Sequence, residues 1–299
     1  MTAGMKISHR GRWSIMVVVA ALSSLTGCQR KAAEPPDNPR LSAKVILRDV
    51  TLRSSALNRE MKYRVVFPAD IAAGQKLQQV YLLHGGGGGF RDWTNYSDVA
   101  RFAESGLFLV MPEGNSSYYT NSVAQPEDRY EDYIMKDLIS DVESRFPVAT
   151  GRSNRAIVGV SMGGFGAVKI ALKHPESFAF VGGISSAIDV PRRSFSIKRW
   201  QQSRHYTAIF GPAGSPTRRE NDPFVLARSA SLETAPYFFL TCGEQEGLLP
   251  ANREFAELLA QRHLKFEFHT MAGGHNWNQW NAWLPRLFDR LSQTLHARN

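Results

Sequence analysis

From about residue 44 the chain alternates short apolar runs with stretches whose apolar residues recur at helical spacing. Val45-Ile46-Leu47 and Tyr63-Val65-Phe67 predict two strands joined by a turn around Ser54–Asn58, and so short a connection makes the pair antiparallel. Val80–Leu83, Leu107–Met111, Ala156–Val160, Phe178–Ile184 and Tyr237–Thr241 are nearly unbroken apolar runs, and Lys265–Thr270 reads as a last strand. Helical spacing appears at Tyr133/Ile134, Leu138 and Val142 within residues 131–145. A small-residue helix is predicted from Met162 to His174, where Pro175 stops it, with further helices over Glu254–Arg262 and Asn278–His296. Continuous apolar strands alternating with helices predict an α/β fold, a mostly parallel sheet with helices on both faces. From Asp189 to Glu233 the alternation lapses, with no clear strand and a helix-start signal at Asn221-Asp222-Pro223. This predicts a small helical cap insertion at about 189–233, over the carboxyl edge of the sheet.

The first 43 residues follow a different pattern. Lys6, Arg10 and Arg12, with no acid among them, precede an apolar run from Trp13 to Leu22. That is a secretory signal pattern, and the run is short of the roughly 20 residues that span a bilayer. It ends in Leu25-Thr26-Gly27-Cys28, which resembles the bacterial lipobox. The expectation is therefore a lipoprotein signal peptide over 1–27 and lipidation of Cys28. Gln29, where inner-membrane retention signals usually carry Asp, points to the outer membrane, facing the periplasm of a Gram-negative host. Residues 28–43 are Pro-rich and polar without an apolar period, which predicts a lipid-anchored tether. The catalytic domain is expected over 44–299.

Composition narrows the classes without choosing among them. The 299 residues are 43% hydrophobic and 21% charged, which suits a folded core and excludes disorder as the main state. Two cysteines exclude a disulfide scaffold. The net charge of +9 raises the question of nucleic acid, but three of those charges lie in the signal segment. Eight Arg/Lys fall between Asp189 and Glu233, where they read as a solvated cap surface, and no nucleic-acid motif accompanies them.

The candidate chemistry lies at the ends of the predicted strands. Gly159-Val160-Ser161-Met162-Gly163 fits G-x-S-x-G between a strand and a small-residue helix, the context that a nucleophile elbow requires. His84-Gly85-Gly86-Gly87-Gly88-Gly89 follows another strand. A P-loop needs Gly-Lys-Ser/Thr after the glycines, whereas Phe90-Arg91-Asp92 follow, and Phe90 also breaks a dinucleotide fingerprint. The loop instead suits an oxyanion hole, with the Gly86 N–H paired with that of Met162, the residue after the nucleophile. His84 reads as a structural brace for this loop. His275, in Gly273-Gly274-His275-Asn276-Trp277 after the last strand, stands where a general base belongs in the order Ser, acid, His. His269 and His174 read as structural. The acid is open between Glu244 and Glu246, after the Tyr237–Thr241 strand, with Asp189 as a third candidate. No His/Cys/Asp spacing suggests a metal, and no cofactor is expected.

Together these residues resemble the esterase D / tributyrin esterase family of α/β-hydrolases, relatives of S-formylglutathione hydrolases, feruloyl esterases and antigen-85-type mycolyltransferases. The resemblance spans roughly residues 44–295. It rests on Leu83-His84-Gly85, Asp92-Trp93, Met111-Pro112-Glu113-Gly114, Tyr130-Glu131-Asp132-Tyr133, the Gly159–Gly166 elbow, Cys242-Gly243-x-x-Glu246 and Gly274-His275 with Trp277 and Trp280. It implies an α/β-hydrolase fold and a serine carboxylesterase acting on short-chain acyl or aryl esters through an acyl-enzyme. Glu246 occupies the family's Asp position, which selects it as the acid beside Ser161 and His275. The resemblance also implies that Asn115, Ser116, Tyr118 and Trp277 face the substrate. Acyl transfer to a sugar or glycolipid is the second enzyme reading, and an inactive lipid-anchored binding protein is the reading from another class. The export signal disfavours S-formylglutathione, a cytosolic substrate. The expected partners are a small-molecule ester and, through Cys28, a membrane, with no nucleic acid and the oligomeric state open.

Overall fold

The computed structural model describes residues 1–2 and 36–296. Cys28, the signal segment and most of the expected tether lie outside the described residues. Eight strands form one sheet: β1 (Val45–Ser54), β2 (Arg59–Pro68), β3 (Gln78–Leu83), β4 (Leu107–Pro112), β5 (Arg155–Val160), β6 (Phe180–Ile184), β7 (Tyr237–Gly243) and β8 (Phe266–Met271), in the order β1-β2-β4-β3-β5-β6-β7-β8. β2 runs antiparallel to β1 and β4; every other neighbouring pair is parallel. The α-helices are α1 (Asp92–Tyr96), α2 (Tyr130–Asp132), α3 (Ile139–Arg145), α4 (Met162–Lys173), α5 (Trp200–Phe210), α6 (Pro216–Glu220), α7 (Pro223–Ser229), α8 (Leu249–Gln261) and α9 (Trp277–His296). A π-helical stretch, Tyr133–Leu138, joins α2 to α3.

The inner strands β3 to β7 are nearly unbroken apolar runs because both faces are covered, whereas β1 and β8 at the edges carry exposed or half-buried polar residues. Along β5, Ile157 packs on one side with Leu138, Val168 and Leu259, while Ala156 and Val158 pack on the other with Val99, Leu284 and Leu287. The parallel strands all end at one edge. Crossovers there bring the loops after β3, β5, β6, β7 and β8 together, the arrangement in which open α/β sheets place ligands.

Three boundaries differ from expectation. The folded body begins at Asp37, earlier than residue 44. The reason is Arg64, whose fully buried guanidinium is bonded at 2.6–2.9 Å to both Asp37 and Asp49. A buried cation requires such partners, and it recruits one from a polar stretch that carries no apolar period. The 189–233 insertion contains α5, α6 and α7, but Phe224 and Ala227 of α7 belong to the main core beside Phe255, so α7 serves the sheet-covering layer. The cap charges are also not all solvated. Buried Arg218 donates to the carbonyls of Gly211, Pro191 and Arg193, and Arg192 bridges Asp222 and Glu254. α8 begins earlier than Glu254, at Leu249, with Pro250 in its first turn.

A buried ion cluster fixes the helix behind the glycine loops. Lys169 of α4 is fully buried and donates to Glu131 Oε2 (2.7 Å), to Thr120 Oγ1 (3.1 Å) and to the Tyr119 carbonyl. Burial pulls the Lys169 ammonium down to about 8. Burial pushes the Glu131 carboxyl up, but Lys169, His174 and Lys173 outweigh it and hold the group well below the usual range. Both partners are therefore charged at neutral pH. Glu131→Gln leaves Lys169 buried without its counter-charge, and should lower unfolding free energy by about 3–5 kcal/mol in urea titrations at pH 7. The unfolded chain then binds more protons than the folded one, because Lys169 titrates near 10.5 when exposed. The deficit should therefore shrink as pH rises toward about 8, above which the folded wild type also releases the Lys169 proton and the two proteins respond to pH alike.

Candidate active site

Ser161 sits between β5 and α4 with φ 56° and ψ −114°, a backbone region that side chains other than glycine seldom occupy. The turn is closed by the Ser161 N–H donating to the Ile184 carbonyl (2.8 Å), and the Ser161 carbonyl accepts from Ala187 (3.0 Å). The flanking glycines are required by contact. A Cβ at Gly163 would collide with the Leu83 and His84 carbonyls, and one at Gly159 with the backbone of Gly163 and Gly164. The serine thus stands out at the N-terminus of a twelve-residue helix, where free N–H groups favour negative charge.

The side chains form one hydrogen-bonded row. Ser161 Oγ lies 2.9 Å from His275 Nε2, and His275 Nδ1 lies 2.7 Å from Glu246 Oε2. The other Glu246 oxygen accepts from Ser185 Oγ (2.6 Å) and from the Gly243 N–H (2.9 Å). Ser185 in turn accepts from the Trp280 indole N–H (3.0 Å). Burial pushes the Glu246 carboxyl up, yet the bonds from His275, Ser185 and Gly243 prevail and keep it below its ordinary value. It stays ionised, aimed at the imidazole. Trp280 meets the His275 ring edge-on at 4.9 Å, which fixes its plane. Glu244 instead accepts from Thr270 Oγ1 and faces solvent, and Asp189 pairs with Arg193 at 2.7 Å. Of the three candidate acids, only Glu246 reaches His275.

The glycine loop runs directly against the nucleophile. A Cβ at Gly85 would sit 3.5 Å from that of Ser161, and one at Gly86 would sit 3.9 Å from that of Met162. Among the described residues neither the Gly86 nor the Met162 N–H donates to a protein acceptor, so both can serve an oxyanion. The loop is braced from beneath. His84 faces the Gly85 carbonyl at Nδ1 (2.8 Å) and accepts the Gly114 N–H at Nε2 (2.9 Å), and the Tyr119 hydroxyl donates to the His84 carbonyl (3.1 Å). Lys169, holding the Tyr119 carbonyl, ties this brace to α4.

The four residues expected at the substrate are spread around this centre. Asn115 bonds the Tyr130 hydroxyl and, with Ser116, lines a cavity of about 430 Å³ alongside Arg59, Tyr130 and His205; Ser161 is not among its lining residues. Tyr118 packs edge-on to Phe165, Tyr206 and Phe210, against the first turn of the nucleophile's helix. Trp277 packs against Trp93, Tyr96 and Trp280. His174 bonds Glu131 and His269 bonds Glu267, both outside the row. Ser185 supports the acid without any sequence motif to announce it, and only its place after β6 could have suggested the role; Trp280 belongs to the Gly-His and Trp pattern of the sequence, which does not tell that its indole bonds Ser185. Among the described residues no cluster of His, Cys, Asp or Glu could hold a metal ion.

A family model described as a putative esterase matches residues 54–291. An acetyl esterase of Caldicellulosiruptor saccharolyticus is 25% identical, over 76% of this chain and 87% of its own length. A diacylglycerol acyltransferase/mycolyltransferase, Ag85B of Mycobacterium leprae, is 26% identical over 98% of this chain and 97% of its own. Among solved structures, the fluorophosphonate-binding serine hydrolase F of Staphylococcus aureus superposes with a TM-score of 0.72 at 24% identity, covering 82% of this chain and 97% of that one. An S-formylglutathione hydrolase from Agrobacterium tumefaciens gives 0.73 at 19% identity, over 87% and 98%. These structural likenesses establish the α/β-hydrolase fold.

The geometry separates the two glutamates of the β7 loop. Glu246→Gln should lower kcat by about 10³–10⁴-fold, because an amide can neither fix the imidazole tautomer nor stabilise its charged form. Glu244→Gln should leave kcat near the wild-type value, measured in parallel on one chromogenic ester.

Proposed function

Since this chain belongs to the putative-esterase family and is a serine ester hydrolase, we propose that it cleaves short-chain acyl or aryl esters through a covalent acyl-enzyme on Ser161. The observation that carries this reading is the continuous bonding from Ser161 Oγ through His275 to Glu246. In the first step Ser161 Oγ attacks the ester carbonyl and His275 Nε2 takes its proton. The tetrahedral oxyanion is held by the Gly86 and Met162 N–H groups, each such donor contributing about 3–4 kcal/mol in the transition state. His275 then returns the proton to the departing alkoxide and the alcohol leaves. Water, deprotonated by His275, attacks the acyl carbonyl, and the acyl–Oγ bond then breaks as His275 returns the proton to Ser161 Oγ and the carboxylic acid leaves. Glu246 keeps the imidazole oriented and offsets its charge in both halves. The short-chain limit draws on the likeness to an acetyl esterase and on the packed rings of Tyr118, Phe165, Tyr206 and Phe210, which fill the space beside the first turn of α4.

The likeness to a mycolyltransferase over nearly the whole chain favours acyl transfer as a second reading, in which an alcohol replaces water in the second step. We also propose that the chain is exported and lipid-anchored through Cys28, facing the periplasm from the outer membrane. Support for this is the basic segment, the apolar run and Leu25-Thr26-Gly27-Cys28.

A fluorophosphonate probe should label the wild type and fail on Ser161→Ala; an unlabelled wild type would overturn the mechanism. Turnover of p-nitrophenyl esters should fall with rising chain length, and product analysis with added sugar acceptors separates transfer from hydrolysis. Incorporation of radiolabelled palmitate should disappear in Cys28→Ala, and label retained by that variant sinks the anchor.

A further inference from the structure

The outer face of the cap has the composition of a surface that meets an anionic lipid bilayer. Phe195, Ile197 and Trp200 are 65%, 82% and 48% exposed, three large apolar side chains within six residues. Exposed Lys198, Arg199 and Arg204 stand among them, with the Arg204 guanidinium 5.5 Å from the centre of the Trp200 ring. No Asp or Glu occurs between residues 190 and 219. Neighbouring Arg192 and Arg193 are neutralised by Glu254, Asp222 and Asp189. Among the described residues, Lys198, Arg199 and Arg204 have no such ion pair.

We propose that this patch docks the protein on the surface of a bilayer containing anionic phospholipid. Each component has a role there. Indole and phenyl rings settle at the headgroup level, and lysine and arginine lay their stems along apolar neighbours while their heads reach lipid phosphates. A second copy of the chain is disfavoured as occupant, because the patch would oppose its own charge. A soluble polyanion would leave the three apolar side chains in water. The inner face of α5 gives the docking direction. Tyr206, Ile209 and Phe210 pack there with Phe165, on the first turn of the nucleophile's helix. The patch is thus the outer side of a wall whose inner side borders the candidate active site. The inference does not rest on the proposed lipidation of Cys28, since it is argued from residues 195–204 alone.

Hydrogen exchange of the full chain tests it locally, so that attachment elsewhere does not register. Amides across 194–204 should exchange about tenfold more slowly on phosphatidylglycerol-containing vesicles, the factor for a patch docked about nine-tenths of the time. Neutral phosphatidylcholine vesicles and a soluble polyanion such as polyphosphate should give no slowing. Replacing Lys198, Arg199 and Arg204 by Gln should weaken docking about fivefold per charge, about 100-fold together. Phe195→Ser with Ile197→Ser and Trp200→Ser should abolish it, while turnover of a soluble p-nitrophenyl ester is unchanged in both variants. Unslowed exchange on anionic vesicles, equal slowing on neutral vesicles or polyphosphate, or slowing that depends on protein concentration without vesicles would each overturn the proposal. If the apolar variant fails to fold, the charge variant alone decides.

Discussion

The site depends on one close approach of backbone to backbone. At the end of β5 the chain reverses through Ser161 so tightly that Gly163 lies against the Leu83 and His84 carbonyls. That contact brings the loop after β3 beside the first residues of α4. Gly86 and Met162, far apart in sequence and both with N–H groups that have no protein acceptor among the described residues, are thereby brought side by side next to the nucleophile. The positive φ of Ser161 has an energetic cost of order 1–3 kcal/mol for such a residue. It persists because Ile184 and Ala187 hold both sides of the turn through hydrogen bonds. Rigidity here is a consequence of packing, and it allows the donors to be aligned before an ester arrives.

The acid is set by a different principle, the need of a buried carboxylate for partners. Glu246 has a side chain only 1% exposed, and its two oxygens receive three protein hydrogen-bond contacts. They come from the loop after β6, from the last residue of β7, and from the loop after β8. Trp280 reaches into the same network from α9. Each surrounding segment is thereby tied to the orientation of His275. The nearby Cys242 thiol is buried and pushed up to about 12, by burial first and by the neighbouring carboxylate second, so it is no rival nucleophile.

Most of this framework is readable in the sequence because it rests on local patterns. Unbroken apolar runs give the strands, and G-x-S-x-G between a strand and small residues gives the elbow. His275 follows from chain order. The choice of Glu246 over Glu244 comes from the resemblance of Cys242-Gly243-x-x-Glu246 to a family segment, since acidity and position alone do not divide two glutamates two residues apart. What separates them is the Gly243 N–H and Ser185, and the latter arrives from another strand. The pairing of Lys169 with Glu131 has no signal in the sequence, and nothing in their spacing tells that α4 is covered on every side. The same blindness misplaced Arg192 and Arg218. A cation's partners are set by tertiary contact, so a run of Arg and Lys cannot be divided into pinned and solvated members from sequence. Asp37 entered the body for that reason too, drawn in by Arg64.

The order of the parts along the chain carries a consequence for biogenesis. The nucleophile and the oxyanion loop are complete within the first half or so of the polypeptide, whereas His275 and Trp280 belong to the final β8–α9 unit. A nascent chain that has emerged only as far as α8 holds a serine with no base and a carboxylate with no imidazole to orient. Hydrolytic competence therefore arises late, as a property of the finished molecule.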